Sequence, residues 1–259
     1  MDIQIKRTNK TQISDDLKQS VSKSYLCVVM PAYNEEAIIK DNLLSASSII
    51  SEFADDYKII AVNDGSSDNT EKFIIEASAL DSHISYVSYA KNQGKGGAIK
   101  AGVKYANADY IAFLDSDLEL SPVMLKNFLK ALKKRNADIA IGSKLHKDSK
   151  LEYPFTRRIL SFGYYVMLKL MFKLNLKDTQ TGIKLFKSSI IKPICETLTT
   201  TGFAFDIEIL AKASKKGAKI IEMPIELNFT RDKREKSRIS PKVIYKVFKD
   251  TLSIKKSLK

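Results

Sequence analysis

Between residues 25 and 141 the chain alternates short apolar runs with helix-like stretches, and each of the first four runs ends in a polar or glycine-rich cluster. Residues 25–30 form a Val-rich run that leads into Pro31-Ala32-Tyr33-Asn34-Glu35-Glu36 and a helical stretch to about Phe53. Residues 58–62 give way to Asn63-Asp64-Gly65-Ser66-Ser67-Asp68, with Asp68 placed to cap the next helix. Residues 84–89 precede Asn92-Gln93-Gly94-Lys95-Gly96-Gly97, which opens a helix through Tyr105. Residues 109–114 deliver Asp115-Ser116-Asp117, Ser121-Pro122 starts another helix, and residues 138–141 read as a fifth strand. Strands separated by helices demand right-handed crossovers, so the expectation is an α/β fold with a mostly parallel sheet flanked by helices.

The most informative of the strand ends is the fourth. Alternate residues of a strand point the same way, so Asp115 and Asp117 can converge on one ligand. Two converging carboxylates repel unless a cation lies between them, and a hard divalent ion shared with substrate phosphates is the usual solution. An Asp-x-Asp elsewhere would read as a solvated loop; at the carboxyl end of a parallel strand it lies where open α/β sheets bind ligands. The other clusters have bland readings taken singly. Asp64-Gly65 is a turn signal, and Gly94–Gly97 is neither a P-loop nor a dinucleotide fingerprint. Their glycines nonetheless permit close backbone approach, Lys95 can meet a phosphate near a helix N-terminus, Tyr33 offers a ring for a base, and Asp64 can accept from a base or ribose.

Beyond Ser143 the pattern changes. Residues 144–158 are polar and basic, residues 159–176 read as a long apolar helix, and a short strand or turn falls around 183–186. An apolar run at 220–229, a charged loop at 230–238 and a helix from Ser240-Pro241 complete the chain. Residues 1–24 read as a loose tail without an apolar signal core, residues 25–230 as the main domain in a nucleotide half (25–120) and an acceptor half (121–230), and residues 231–259 as a basic loop with a C-terminal amphipathic helix. Cys27 and Cys195 are far apart, without metal-ligand spacing, which suits buried thiols and a reducing, cytoplasmic compartment. The net charge of +13 is uneven: residues 1–120 carry 12 basic and 18 acidic side chains, residues 121–259 carry 31 and 12. A basic half points to nucleic acid, an anionic membrane surface or phosphorylated substrates. No nucleic-acid module pattern accompanies it, so nucleic acid is not the expected partner.

The segments VVMPAYNEE, VNDGSSDNT, KNQGKGGAIKAG and FLDSDLELSP resemble the signatures of family-2 glycosyltransferases of the GT-A fold. Gly142-Ser143-Lys144, the Arg157-Arg158 pair with Ser161, DTQTGIKLFK from Asp178 and GFAFDIEIL from Gly202 are similar to the dolichyl-phosphate (polyprenyl-phosphate) sugar synthases, nearest in pattern to the glucose synthase branch. The resemblance covers roughly residues 25–250. It implies that Pro31, Tyr33, Glu35 and Asp64 hold the nucleoside of a nucleotide sugar, with Lys95 nearby. It implies that Asp115, Asp117 and Glu119 arrange Mg²⁺ or Mn²⁺ on the donor diphosphate. Lys144, Arg157 and Ser161 would hold the acceptor phosphate, and Arg234 and Arg238 would join the phosphate-binding set from a loop where Glu235-Lys236-Ser237-Arg238 replaces the usual Gly-x-Ser-Lys. Lys144 stands where the family often has Arg, keeping the charge but losing the bidentate fork.

The implied reaction is inverting transfer of a hexose, with a UDP-hexose such as UDP-glucose favoured over GDP-mannose, to dolichyl or polyprenyl phosphate at the cytoplasmic membrane face. A phosphate monoester has a second pKa of about 6, so the acceptor is already a nucleophile near neutrality and needs no base. Asp206, where relatives with hydroxyl acceptors place a base, is therefore expected to orient sugar or cations. The rival within the family is transfer to a soluble glycan or protein. For residues 159–176 two readings stand: a core helix, or a helix in the membrane plane with Lys169, Lys173 and Lys177 as one basic stripe.

Overall fold

The computed structural model describes residues 11–15, 24–150, 169, 171, 172, 174–202, 204–226 and 249–256. In chain order the elements are β1 (Gln12–Ile13), β2 (Ser24–Ala32), α1 (Ile39–Ser51), β3 (Tyr57–Asp64), α2 (Thr70–Leu80), β4 (Ile84–Tyr89), α3 (Lys95–Tyr105), β5 (Ala108–Phe113), α4 (Met124–Arg135), β6 (Ile139–Ser143), β7 (Lys184–Lys187), α5 (Ser188–Glu196), α6 (Phe205–Lys215) and β8 (Ile220–Pro224). They form one sheet in the order β1-β4-β3-β2-β5-β7-β6-β8. β4, β3, β2 and β5 run parallel, as do β6 and β8, whereas β1 and β7 are antiparallel to their neighbours.

Both faces of the central strands are covered, which is why their sequences are almost continuously apolar rather than alternating. Leu26, Val28 and Met30 pack with Leu43 of α1, Ile74 of α2 and Phe128 of α4 on one face. Cys27 and Val29 pack with Ile99 of α3, Ile194 of α5 and Leu210 of α6 on the other. Burial pushes both thiols up to about 12, so Cys27 and Cys195 are packing groups rather than reactive ones. α4 shows how sequence makes such a layer: Leu125, Phe128, Leu129 and Leu132 form its buried stripe. Lys133, Lys134 and Arg135 complement the helix dipole in its last turn, and left-handed Asn136 (φ 45) ends it.

Pro31 opens the sheet. The Val29 carbonyl accepts from Leu114 N–H at 3.2 Å, and the β2–β5 ladder ends at the pair Val29–Phe113. Two residues on, Pro31 faces the same side, where no ladder partner remains to need its missing N–H. β2 and β5 can therefore part at their carboxyl ends, where the chain switches from building outward through β3 and β4 to building on the other side. Such a switch point forms a crevice.

Several expectations need correction. The N-terminal stretch is not loose throughout, because Gln12–Ile13 pairs with Val87 and Ser88 of β4 and covers that edge. The segment around 183–186 is a strand, inserted antiparallel between β5 and β6, so the two proposed halves share one sheet. Asp68 precedes the first helical turn without being its N-cap residue, yet its carboxylate accepts from Thr70 N–H at 3.0 Å. The apolar helix expected over 159–176 is described only at its end. Residues 171 and 172 are helical and residues 174–176 are not, with Leu174 and Leu176 buried in the core. Lys177 therefore lies outside any helical stripe, while Lys173 falls outside the described residues. Residues 249–256 are helical, with Ile254 packed on Ala204 and Ile207 and Leu252 left exposed. The loop at 230–238 also lies outside the described residues.

At the amino end of the sheet, away from the crevice, one hydrogen-bonded cluster ties α1, α2, β3 and the approach to β4. Ser47 Oγ donates to Asp81 Oδ2 at 2.5 Å and lies 2.7 Å from the Tyr57 hydroxyl. The His83 ring stacks on Tyr57 with centroids 4.4 Å apart. Burial pushes the Asp81 carboxyl up, but the Ser47 hydroxyl and the His83 backbone and ring N–H groups outweigh it and leave the group below its usual value. A carboxylate with a depressed folded pKa stabilises the fold above its unfolded pKa and loses that contribution as pH falls through the folded value. Ser47→Ala removes a buried hydrogen bond to a charge and should cost about 1.5–3 kcal/mol at neutral pH. Denaturant unfolding of parent and variant should show that gap narrowing below about pH 4, the unfolded carboxylate range. A gap that is constant with pH would show that Asp81 contributes no charge-dependent part.

Candidate functional site

Two loops build one wall of the crevice. After β2, Asn34 sits in the left-handed region (φ 54) and takes Ser67 N–H at 2.8 Å on its side-chain oxygen. Asn34 N–H donates to Ser66 Oγ at 3.0 Å, and Glu35 N–H to Thr70 Oγ1 at 2.8 Å. Glu36 Oε2 accepts from both the backbone and side-chain nitrogens of Asn69, each at 2.9 Å. The loops after β2 and β3 are thus laced together before any ligand arrives. Tyr33 stands out from them, 46% exposed, with its ring free to stack, while Pro31 and Glu35 are half-buried beside it.

Asp64 belongs to this wall differently from expectation. It is buried, and its carboxylate accepts from the Tyr89 hydroxyl at 2.7 Å, from Gln93 N–H at 2.8 Å and from the Asn92 amide at 3.0 Å. Burial raises its pKa against those hydrogen bonds. These partners hold the β4–α3 loop, and Gly65 (φ 66) lets that loop close in, since a Cβ there would stand 2.7 Å from the Lys91 carbonyl carbon. Asp64 thus ties the β4–α3 loop to the wall, whatever it also offers a ligand.

The charged centre lies beyond β5. Lys95, the first residue of α3, places its ammonium 2.5 Å from Asp115 Oδ1. Burial would lower the Lys95 pKa, but Asp115, Asp206 and Asp117 around it more than compensate and raise it. Asp117 Oδ1 accepts from Glu119 N–H at 3.2 Å, and the Asn42 amide of α1 donates to the Ser116 carbonyl at 2.8 Å, anchoring the turn between the two aspartates. Leu118 takes the left-handed conformation (φ 51) in the same turn. Asp115 and Asp117 provide hard oxygen donors, and the ammonium already beside Asp115 shows that positive charge is accommodated there, so the pair fits Mg²⁺ or Mn²⁺. Among the described residues no three His, Cys, Asp or Glu side chains are already gathered into a metal-holding group, so Glu119 is not preassembled with the two aspartates.

The other wall comes from the second half. The β5–β7 register reaches Phe113–Lys184, and two residues further along each strand stand Asp115 and Gly182. A Cβ on Gly182 would lie 2.6 Å from Asp115 Cγ, so any other residue there would move the carboxylate from its present place. Lys184 and Asp206 form an ion pair at 2.7 Å with both side chains almost fully buried. Glu208, with no exposed side chain, pairs with Lys212 at 2.6 Å and accepts from Thr199 N–H at 3.0 Å and Thr200 N–H at 2.7 Å. The segment it orders presents the Thr201 carbonyl to Gly96 N–H at 2.8 Å, under the start of α3. Lys144 follows β6 at the same sheet edge, its N–H donating to Asp178 Oδ2 at 3.0 Å. Arg157, Ser161, Arg234 and Arg238 lie outside the described residues.

Tyr33 and Glu35 follow β2, Lys95 follows β4, and Asp115 and Asp117 follow β5, all beyond the carboxyl ends of parallel strands of one sheet. Sequence reasoning held Gly182, Lys184 and Glu208 inside quoted motifs without a role of their own, and it passed over Asn42. The i, i+4 spacing of Glu208 and Lys212 was a visible signal, whereas the partners of Lys184 and Asn42 are 22 and 74 residues away.

Residues 27–195 match the family described as glycosyl transferase family 2. The dolichyl-phosphate beta-glucosyltransferase of Dictyostelium discoideum is 31% identical over 221 residues, covering 80% of this chain and 68% of that protein. The enzyme of the same name from Saccharomyces cerevisiae is 30% identical over 226 residues, with the same coverage. Among solved structures, glucosyl-3-phosphoglycerate synthase from Mycobacterium tuberculosis in complex with UDP superposes with a TM-score of 0.63 at 18% identity, covering 93% of this chain and 83% of that one. The same synthase with Mn²⁺ and UDP-glucose gives 0.63 at 18%, covering 92% and 80%. At such identity these structures bear on the fold, which is that of GT-A glycosyltransferases.

Proposed function

Because the chain belongs to glycosyl transferase family 2, we propose that it transfers glucose from UDP-glucose to the phosphate of a dolichyl or other polyprenyl acceptor, with inversion at the anomeric carbon. The names of the relatives support the lipid phosphate and the glucose; the UDP and Mn²⁺ bound by the structural neighbours support the donor and the ion. Tyr33, Pro31 and Glu35 would receive the nucleoside, Asp115 and Asp117 would hold Mg²⁺ or Mn²⁺, and Lys95 would face the diphosphate. The bound ion would offset negative charge on the departing nucleoside diphosphate. An acceptor phosphate oxygen bonds to the anomeric carbon as the bond to the donor β-phosphate oxygen breaks, and UDP leaves. Lys144, with Arg157 and Ser161, would bring the second anionic phosphate in. The acceptor lipid would be met at an anionic membrane surface; among the described residues no helix is long and apolar enough to cross a membrane.

One observation carries the choice of a phosphate acceptor over a hydroxyl. Asp206, the residue placed to act as a base, is committed to the buried ammonium of Lys184. An acceptor alcohol must lose a proton as it attacks, while a phosphate arrives without needing to. Purified protein given radiolabelled UDP-glucose, Mn²⁺ and either dolichyl phosphate or dolichol should label only the phosphate. Its rate should fall as pH drops through about 6, where the acceptor takes up a proton. Labelling of dolichol, or of a soluble glycan in preference to dolichyl phosphate, would overturn the reading.

A further inference from the structure

The Lys184–Asp206 pair is more deeply buried than any other ion pair among the described residues that involves a lysine and an aspartate, with side chains 3% and 6% exposed. Buried ion pairs stabilise folds poorly, because desolvation of both charges offsets their attraction, so this one calls for a reason other than stability. Its surroundings supply one. Asp206 follows Phe205, whose Cβ stands 2.6 Å from where a Cβ on Gly96, the residue after Lys95, would be, so α6 begins against the start of α3 and the Asp206 charge acts through space on Lys95 and Asp115; beyond the Lys184 ammonium its Oδ1 has no hydrogen-bond partner among the described residues. Lys95 in turn lies against Asp115 while feeling Asp206. Two lysines and two aspartates thus form an alternating row, Lys184–Asp206–Lys95–Asp115, with Lys184 at the closed end and Asp115 at the crevice. The Lys184 ammonium also donates to the Thr181 carbonyl at 2.5 Å, one residue before the glycine that admits Asp115.

We propose that Lys184 is a positioning residue for the donor diphosphate: by neutralising Asp206 from behind, it keeps Lys95 at the crevice end of the row instead of letting Asp206 draw it inward. Without Lys184, the unpaired buried carboxylate of Asp206 takes Lys95 as its counter-ion, and the diphosphate loses its cation. The inference rests on the nucleotide-sugar reading above and adds to it a residue that touches no substrate.

Binding of UDP and of uridine, each titrated calorimetrically in Mn²⁺, tests it without turnover. Lys184→Met should weaken UDP at least about tenfold, the worth of one charge-assisted hydrogen bond, and leave uridine unchanged. Lys184→Arg should keep UDP affinity near the parent's. The decisive variant is the double substitution Lys184→Met with Asp206→Asn, which removes the competing carboxylate and should restore UDP binding towards the parental value. A purely structural lysine would also be rescued by Asp206→Asn, but its loss would weaken uridine along with UDP. UDP affinity unchanged in Lys184→Met, or still lost in the double variant, would overturn the proposal, and the double variant answers the question even if the single one fails to fold. If the parent itself does not bind UDP more tightly than uridine, the donor reading fails instead.

Discussion

Asp117→Asn is expected to abolish sugar transfer, by about a thousandfold or more, with the fold unchanged. The substitution is isosteric and removes one negative charge from the turn after β5, where Asp117 and Asp115 together face Lys95. Electrostatic groups aimed at developing charge are commonly worth factors of about 10² to 10³ each, and loss of an ion's carboxylate adds the loss of the ion. The side chain accepts from Glu119 N–H, and an amide oxygen can still accept that hydrogen bond. Thermal unfolding should therefore stay close to the parent's, within the about 0.5 kcal/mol typical of substitutions away from the core. Transfer measured across a Mn²⁺ titration separates the outcomes: parental turnover at any metal concentration would remove Asp117 from the site.

Gly182→Ala should be nearly as damaging although it adds a single methyl group. That carbon would stand where Asp115 now is, 2.6 Å from its Cγ, and β7 is locked between β5 and β6. The carboxylate is the group that yields, since Gly182 leads into paired β7 and its neighbour Ile183 is held by Gly142 N–H at 3.0 Å, and a displacement of about 1 Å at a reacting centre costs on the order of a hundredfold. We expect kcat/KM to fall by about that factor and the Mn²⁺ requirement to rise, with dolichyl phosphate KM little altered. An alanine variant with the parent's metal dependence would show that Asp115 can take another rotamer without consequence.

What could be read from the sequence and what could not divide along a physical line. The carboxyl ends of β2 to β5 announced themselves because a parallel strand buried on both faces must be apolar to its last residue, so Tyr33, Lys95 and Asp115 appear as abrupt polar breaks. β7 carries no such mark. Its four residues begin and end with lysine, which suits an exposed edge strand, and nothing nearby indicates that Lys184 meets a carboxylate on a helix 22 residues later. Asp64 shows a second gap: its place at a strand end was legible, but its partners Tyr89 and Gln93, supplied by the neighbouring strand and the loop after it, were not. The apolar stretch before residue 176 raised the choice between membrane and core. At its described end the core holds, with Leu174 and Leu176 buried against α6 and its neighbours.

The hold of Glu208 on residues 199–200 reaches further than its own hydrogen bonds. Through the Thr201 carbonyl it sets the floor beneath Gly94 and Gly96, so the loop proposed to face the donor rests on chain that follows it by a hundred residues. The enzyme is therefore poorly modular. A chimera that imports the portion after residue 121 from a relative, hoping to change the acceptor alone, also imports a new seat for the nucleotide. On the proposed assignment acceptor preference and donor affinity would be coupled, and exchanging one without re-tuning the other would mean transplanting Glu208, its threonines and the loop at 94–96 as a set.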